Sequence, residues 1–356
     1  MNIPNAMDLS HHRNYPVLAV TMGDMNGIGP EVILKTLTLN PHPDAGILLF
    51  ACREVLHFYA GLSNISPFWE DSGGFAAEGN DTFPKTTDSI PVPDAGQVIL
   101  ISPDTLSEKI QPGTVSAIAG KLSMQAVAAS VAVCQCNLAD AMITAPISKE
   151  AIHLAGFQVP GHTEYLAELT GTDHVGMMLA NKTMRIGLAT IHTPIKEVAG
   201  LLSSDRIRQQ LQLHFHALTN FFGITDPRIA VLGLNPHAGD GGVLGNEEQE
   251  IIIPALDYLH RQGIRVDGPW PADGFFGSKS YEKYDLVFAM YHDQGLIPLK
   301  LSGFGDGINI TVGLPIVRTS PDHGTAFSIA GKNRADPGSM KAATALAWTM
   351  ALHRYN

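Results

Sequence analysis

Cysteine is scarce in this chain of 356 residues, which contains only Cys52, Cys134 and Cys136. An odd, sparse count excludes the disulfide framework of small secreted proteins and suits a reducing compartment. Cys134 and Cys136 are separated by one residue, which is not the spacing of a redox or zinc pair. We therefore expect these two to be packed thiols and the protein to be cytoplasmic.

Positive charge is also in short supply, because 23 lysines and arginines face 34 aspartates and glutamates and leave a net charge of −11. Nucleic acids and anionic membranes attract the opposite sign, so neither is expected as a partner. A small anion can still bind in a local basic pocket. The N-terminus lacks the basic start and long apolar stretch of a signal peptide, and no stretch reaches the roughly 18 apolar residues of a membrane helix.

A complete dinucleotide fingerprint is missing as well. The stretch "MGDMNGIGPE" (22–31) places a Gly-x-Gly before a predicted helix, but it does not contain G-x-G-x-x-G. A Rossmann site is therefore not supported.

The chain is rich in short apolar runs, most of which end in a polar or glycine-rich segment. With 45% hydrophobic residues it can bury a large interior, and its length suits two lobes. The runs predict buried parallel strands at 17–24, 46–52, 97–102, 140–148, 185–193, 228–239 and 285–293. Helical patterns occupy 30–39, 119–135, 163–171, 204–222, 247–263 and 340–353. This alternation predicts an α/β fold with a largely parallel sheet, in which ligands bind beyond the carboxyl ends of the strands.

Three of the predicted strands end in a histidine: His192, His237 and His292. Neutral imidazole is a common zinc ligand, and three protein ligands leave coordination positions open for catalysis. We therefore predict a metal site at the strand ends. The alternative is that each histidine is an ordinary hydrogen-bonding group at the surface, since spacing alone does not prove that the three converge.

Two aspartates lie close to these histidines in sequence. Asp293 follows His292 and can either orient that ligand or act as a general base. Asp273, in "WPADGFF", is a second candidate for the base, although an Asp-Gly pair is also ordinary turn chemistry.

Two further segments predict an anion pocket. The motif "GHTEYLAELTG" opens a helix at His162 and Thr163, where backbone N–H groups and the side chains can meet an anion. Downstream, Lys300, Asn309 and Arg318 lie among glycines and can hold a phosphate or carboxylate. Lys300 and Arg318 can alternatively be solvated surface charges.

The stretch "DHGTAFSIAGKNRADPGS" (322–339) precedes the final helix and is rich in glycine and small polar residues. A loop of this composition can wrap a nucleotide.

Several long motifs resemble one known family. They are "VTMGDMNGIGPEV", "TAPISKEAI", "GHTEYLAELTG", "LGLNPHAGDGG", "GPWPADGFF", "YHDQGLIPLK" and "GINITVGLPIVRTSPDHGTAFSIAG". Together they resemble the 4-hydroxythreonine-4-phosphate dehydrogenase family of pyridoxal phosphate biosynthesis over nearly the whole chain. Met25-Asn26 departs from the family's usual proline and small residue, and the 63–96 region departs in length and composition.

The resemblance implies an isocitrate/isopropylmalate-dehydrogenase-like fold of two α/β/α lobes with the active site in the cleft between them. We expect residues 1–140 with 319–356 to form the cofactor lobe and 141–318 the lobe that carries the metal and dimer interface. The resemblance also implies a homodimer whose active sites use residues of both subunits.

Carried over by position, the resemblance implies roles for individual residues. One divalent metal, with zinc favoured over magnesium or cobalt, would be held by His192, His237 and His292. The substrate would meet His162, Thr163, Lys300, Asn309 and Arg318. Our own hypothesis from the sequence adds Asp293, Asp273 and Lys300 as catalytic residues. The segment that resembles the adenine-side loop would bind NAD or NADP through His323, Gly324, Thr325, Ala326, Gly331 and Asp336.

The implied reaction is the metal-dependent oxidation of 4-phosphooxy-L-threonine, followed by decarboxylation. A related dehydrogenase acting on 4-phosphothreonate, 4-phosphoerythronate or a dihydrodiol carboxylate would use the same residues. A tri-histidine metallohydrolase is a rival from another class, but it would have no use for the 322–339 loop.

Overall fold

A computed structural model describes residues 13–38, 43–72, 87, 90–103, 106, 108–303 and 305–353 of the chain. The chain divides into two compact units, residues 1–173 with 314–356, and residues 174–313. Strands and helices are numbered in chain order through both units.

The first unit is built on a parallel sheet. Its strands are β1 (Val17–Thr21), β2 (Gly46–Phe50), β3 (Glu70–Asp71), β4 (Val98–Ile101), β5 (Ala141–Thr144) and β12 (Val317–Pro321). They lie in the order β3-β4-β2-β1-β5-β12, and neighbouring strands are parallel. Its helices are α1 (Gly29–Leu37), α2 (Arg53–Ser63), α3 (Ala117–Gln135), α4 (Lys149–Leu154), α5 (His162–Thr170) and α11 (Gly338–Leu352).

The second unit is built on a mixed sheet. Its strands are β6 (Gly176–Ala180), β7 (Arg185–Leu188), β8 (Arg228–Leu232), β9 (Arg265–Trp270), β10 (Leu286–Ala289) and β11 (Ile308–Val312), in the order β11-β6-β7-β10-β8-β9. The β11–β6 and β6–β7 pairs are antiparallel, and the remaining pairs are parallel. The helices are α6 (Ile195–Leu201), α7 (Ser204–Asn220), α8 (Ile253–Arg261), α9 (Ala272–Gly277) and α10 (His292–Ser302).

Local sequence explains where several helices begin. Ser116, Ser148 and Ser203 each precede a helix, and each side-chain oxygen accepts a hydrogen bond from the backbone N–H three residues later. This contact satisfies one of the N–H groups that the first turn of a helix leaves without a partner.

The α/β fold is confirmed, and each of the seven predicted strands contains an observed strand. The prediction did not include β3, β6, β9, β11 and β12, and it did not recognise α10, which begins at His292 itself. The unit boundaries also differ from the predicted division at 140 and 318. Residues 141–173 lie in the first unit because β5 pairs with β1 on one side and β12 on the other.

One helix among the described residues, α3, is long and apolar enough to cross a membrane, which the sequence-based survey did not recognise. About 72% of its most apolar window is buried inside the protein. It packs against β1 and α4 of the first unit, so its composition is that of a core helix.

Gly120 is where α3 approaches α4 most closely. A Cβ atom at Gly120 would lie 2.1 Å from the carbonyl oxygen of Ala151, whereas a Cβ at Gly61 in α2 would meet nothing within 4 Å. We expect Gly120→Ala to lower the free energy of unfolding by about 1–3 kcal/mol, because the backbone of α4 must shift.

The matched control is Gly61→Ala, which we expect to raise that free energy by up to about 1 kcal/mol, since alanine is the better helix former. Urea denaturation measures both changes. Equal effects of the two substitutions would contradict the close approach of α3 to α4.

Candidate functional site

The three histidines follow three neighbouring parallel strands of the second unit. His192 lies four residues after the end of β7, His237 five residues after β8, and His292 three residues after β10. Because the strand order is β7-β10-β8, all three carboxyl ends meet at one edge of this sheet.

Side-chain hydrogen bonds tie these three strand ends together. The hydroxyl of Thr190 donates to the carbonyl oxygen of Met290 at 2.7 Å, and the backbone N–H of Met290 donates to Oε1 of Gln294 at 2.7 Å. Nε2 of Gln294 donates to the carbonyl oxygen of Gly233 at 2.6 Å. The segments that carry the histidines are thus joined through the backbone N–H and C=O groups of Met290. Sequence reasoning did not assign a role to Thr190 or Gln294.

Two of the three imidazoles are close enough to share a metal. The ring centroids of His192 and His292 lie 5.9 Å apart, at an interplanar angle of 41°. Zinc lies about 2.0–2.1 Å from each ligating nitrogen, which this separation permits. Within the described residues of one chain, however, no group of three or more His, Cys, Asp and Glu side chains is arranged to hold a metal. The pair fits a metal, and His237 does not complete the site in a single chain.

His292 is oriented by its neighbour Asp293. Nδ1 of His292 lies 2.7 Å from Oδ1 of Asp293, which fixes the ring and leaves Nε2 available to a ligand. These two residues line a surface cavity of about 370 Å³ together with Leu296, Lys300 and Leu301.

Lys300 reaches this cavity because it lies on α10, the helix that begins at His292. The helix packs closely on the sheet at Gly295, where a Cβ atom would lie 2.4 Å from the side chain of Ile186. Leu296 and Leu299 enter the apolar core beneath it. Packing of α10 therefore decides where His292, Asp293 and Lys300 point.

His237 lines a neighbouring cavity of about 350 Å³ with Asp273, Tyr291 and Gln294. Asp273 is in the first turn of α9. Asp273 and His237 therefore line the same cavity, while Asp293 contacts His292 directly.

In the first unit, Arg318 is a buried cation on β12, where it lies beside Met142 of β5. Only 3% of the residue is exposed, and burial lowers the pKa of its guanidinium to about 10. Nε and Nη2 both donate to the hydroxyl of Thr144, at 3.0 and 2.6 Å, so this threonine aims the guanidinium. The motif "TAPIS" contains Thr144, but nothing in the sequence links this residue to Arg318, which lies 174 residues away.

His162 and Thr163 form the first turn of α5. Burial, with a smaller contribution from the charge of Arg318, lowers the pKa of His162 well below its usual value, so the ring is neutral near pH 7. Its Nε2 is buried and has no hydrogen-bond partner among the described residues. In the second unit, Oδ1 of Asn309 on β11 is likewise buried without a partner. A buried polar atom without a protein partner can bond to a water molecule, an ion or a ligand.

The predicted cofactor segment is held in the first unit by contacts with α1 and the loop before it. The carbonyl oxygen of Thr325 accepts from the N–H of Ile28 at 2.9 Å, and Glu31 accepts from the N–H of Ala335 at 2.8 Å. Nε2 of His323 is buried and has no partner among the described residues, so it can receive a polar ligand group.

The other predicted cofactor residues shape this segment. Ala326 and Gly331 have positive φ angles of 43° and 71°. Asp336 accepts a hydrogen bond from the N–H of Gly338 at 2.8 Å, at the start of α11, while Gly324 is exposed.

A buried carboxylate that sequence reasoning missed lies just after β1. Asp24 is fully buried, and its Oδ1 accepts from the N–H of Asn26 at 2.9 Å. Oδ2 has no partner among the described residues. Burial raises the pKa of Asp24 from 3.8 to about 6.

Comparison with known proteins gives a consistent result. A family model described as "Pyridoxal phosphate biosynthetic protein PdxA" matches residues 64–347. A 4-hydroxythreonine-4-phosphate dehydrogenase from Prosthecochloris aestuarii is 44% identical over 343 residues, which cover 94% of this chain and 97% of that protein.

Solved structures agree. A 4-hydroxythreonine-4-phosphate dehydrogenase from Klebsiella pneumoniae is 37% identical with a TM-score of 0.81, covering 96% of this chain and 99% of that one. A terephthalate 1,2-cis-dihydrodiol dehydrogenase from Burkholderia xenovorans is 28% identical with a TM-score of 0.65, covering 94% and 98%.

Replacement of Thr144 tests whether it aims Arg318. We expect Thr144→Val to weaken the binding of inorganic phosphate about tenfold, because two guanidinium N–H groups lose their acceptor. Thr144→Ser keeps the hydroxyl and should retain most of the affinity. Calorimetric titration with phosphate measures both variants, and equal affinities for the valine variant and the wild type would rule out this role.

Replacement of Asp24 tests its raised pKa. The folded carboxyl binds its proton more tightly than the unfolded one, so its contribution to stability is present below pH 4 and is lost as the pH rises through 6. Asp24→Asn should therefore raise the free energy of unfolding at pH 8 by about 2–3 kcal/mol and have little effect at pH 3.5.

Urea denaturation at the two pH values measures this difference. Asp44 is exposed in the same unit, so Asp44→Asn removes the same charge and serves as the control. A stabilisation by Asp24→Asn that is equal at both pH values would contradict the raised pKa.

Proposed function

The chain belongs to the PdxA family of pyridoxal phosphate biosynthetic proteins, and from this premise we propose that it oxidises 4-phosphooxy-L-threonine with reduction of NAD(P)⁺. The product, 2-amino-3-oxo-4-phosphooxybutanoate, is a β-keto acid that loses CO₂ to give 3-amino-2-oxopropyl phosphate. The observation that supports the proposal is that the strands preceding His192, His237 and His292 are parallel neighbours, so that their carboxyl ends lie at one edge of the second unit's sheet.

We propose that groups of the first unit hold the phosphate end of the substrate. Arg318 supplies a buried positive charge, and the neutral ring of His162 supplies a nitrogen that has no partner among the described residues. Thr163 adds a hydroxyl and a backbone N–H in the first turn of α5. Anchoring the end of the substrate that does not react orients the carbon that does.

In the second unit, Lys300 and Asn309 are the substrate contacts that we propose. Lys300 lines the cavity that contains His292 and Asp293, and its charge suits an anionic substrate. Asn309 offers an orphaned side-chain oxygen that can accept a hydrogen bond from a hydroxyl or amino group.

Oxidation of the alcohol requires a base that takes the hydroxyl proton as the hydride leaves the same carbon. Asp293 is already engaged with the ring of His292, which suits a role in orienting that ring. Asp273 lines the cavity of His237 and is the better candidate for the base.

The family implies a divalent metal in addition to NAD or NADP. His192 and His292 would hold the metal, which would lower the pKa of the substrate hydroxyl and stabilise negative charge during decarboxylation. We propose that His237 joins the ligands in a homodimer with shared active sites. Leu301 and Ile297 support this assembly, because they are 84% and 57% exposed on the helix of His292.

A second substrate class deserves a test, because the similarity to a terephthalate dihydrodiol dehydrogenase extends over 94% of the chain. The buried Arg318 and the orphaned His162 nitrogen suit a phosphate better than a planar diol. Phosphorylated substrates therefore remain the first choice, with 4-phosphothreonate and 4-phosphoerythronate as alternatives. The predicted cytoplasmic location stays part of the proposal.

The test is reduction of NAD⁺ or NADP⁺ by the purified protein with 4-phosphooxy-L-threonine and the alternative substrates, followed by absorbance. We expect His192→Ala and His292→Ala each to lower kcat/KM about 100- to 1,000-fold, because each removes a ligand of a metal that stabilises the transition state. Treatment with a chelator should abolish activity, and restoration by Zn²⁺, Mg²⁺ or Co²⁺ identifies the metal.

The control is His216→Ala, which changes an exposed histidine of the same unit. If activity survives in both histidine variants and after chelation, His192 and His292 do not bind a catalytic metal. If a dihydrodiol carboxylate is turned over faster than any phosphorylated substrate, the protein is a dihydrodiol dehydrogenase and the proposed reaction is wrong.

A further inference from the structure

The loop that carries His237 has an unusual backbone. Six consecutive residues, 237–242, have positive φ angles, and His237, Ala238 and Asp240 among them are not glycine. Left-handed conformation is unfavourable for such residues, because Cβ crowds the neighbouring carbonyl oxygen. A run of this length persists only where the surrounding structure enforces it.

The loop forms a 3-10-helical stretch, Pro236–Gly242, in which residues 237–241 have left-handed φ and ψ angles instead of ordinary helical ones. The N–H of Ala238 donates to the carbonyl oxygen of Asn235 at 3.1 Å, and the N–H of Leu244 donates to that of Gly239 at 3.0 Å. The N–H of Val243 also donates to the carbonyl oxygen of Asp240 at 3.3 Å. Turn contacts of this kind do not by themselves select a left-handed path over the ordinary right-handed turns. Contacts from outside the loop must therefore contribute.

The main external contact is the carboxylate of Glu248, which lies in a π-helical turn (Glu248–Ile252) before α8. Only 2% of Glu248 is exposed. Its Oε1 accepts from the backbone N–H groups of Leu234 and Asn235, both at 2.8 Å, and its Oε2 accepts from Nδ2 of Asn235 at 3.0 Å. A buried carboxylate is tolerated because three donors compensate for its lost hydration.

The same carboxylate also packs against the glycines of the loop. A Cβ atom on Gly239 would lie 2.6 Å from Oε2 of Glu248, and one on Gly233 would lie 3.1 Å from Oε1. Glu248 thus touches both the segment that leaves β8 and the left-handed turn that follows. It is the common support of the two halves of the loop.

We propose that Glu248 is a positioning residue, whose buried carboxylate holds the left-handed loop and so places the imidazole of His237. His237 itself is exposed at the turn, where no burial of the ring fixes its direction. The position of the ring is therefore determined by the backbone conformation of the loop. The link to catalysis rests on the proposed function, whereas the effect on the loop does not.

The test compares Glu248→Met with Glu248→Gln. Methionine has a similar length but accepts none of the three hydrogen bonds. Glutamine keeps one oxygen for Leu234 and Asn235 and replaces the other with an amino group that opposes Nδ2 of Asn235. Hydrogen–deuterium exchange of residues 233–245 is expected to quicken at least tenfold in the methionine variant and by less in the glutamine variant.

The turnover number kcat should fall in the variants whose loop is loosened. In the folded methionine variant we expect kcat to fall at least tenfold, with partial recovery in the glutamine variant. A purely structural role would instead lower the unfolding midpoint and leave kcat of the folded protein unchanged. The control is Glu250→Gln, which removes the same charge from an exposed residue and should alter neither exchange nor kcat.

The following results of these experiments would overturn the proposal or keep it testable. Unchanged exchange at 233–245 in both Glu248 variants overturns it, as does a loosened loop with an unchanged kcat. If the methionine variant does not fold, the glutamine variant alone supports both measurements. Absence of dehydrogenase activity in the wild type would refute the proposed function, and the exchange experiment would still decide whether Glu248 holds the loop.

Discussion

Parallel pairing of β7, β10 and β8 is the constraint on which the candidate site depends. Their pairing brings three carboxyl ends to one edge of the second unit, and each is followed within five residues by a histidine. Neighbouring strands lie about 4.8 Å apart, so groups on adjacent strand ends are within reach of one another. The close approach of His192 and His292 follows directly from this geometry.

Strand pairing alone does not aim the side chains. The hydrogen bonds of Thr190 and Gln294 fix the peptide of Met290, and Gly295 lets α10 lie close to the sheet. Glu248 supports the loop of His237 by a different means, with a buried negative charge. Thr190 and Gln294 lie two residues from His192 and His292, whereas Glu248 lies eleven residues beyond His237. In each case a polar side chain held by tertiary contacts supports a segment that carries a histidine. The same principle holds in the first unit, where Thr144 aims Arg318.

The sequence was sufficient for the class of fold, and the roles of the candidate residues stay predictions. Apolar runs of β-branched residues predict buried parallel strands, and all seven predicted strands contain an observed one. The missed strands include β9 and β12, whose sequences "RVDGPW" and "VRTSP" contain charged residues and proline that obscure the apolar pattern. Helix α10 was missed because "HDQGLIPLKLS" contains glycine and proline, and its helical state is decided by packing on the sheet.

From the sequence alone come the α/β architecture, the three histidines at strand ends and the membership of a dehydrogenase family, since each depends on local pattern or on motif similarity. Only the tertiary structure decided that His192 and His292 are neighbours while His237 is not assembled with them in the described part of one chain. It also decided that Arg318 is buried and donates hydrogen bonds to Thr144, and that Glu248 and Asp24 are buried carboxylates. The reason is physical: burial and contacts between distant residues arise from packing, which no local pattern encodes.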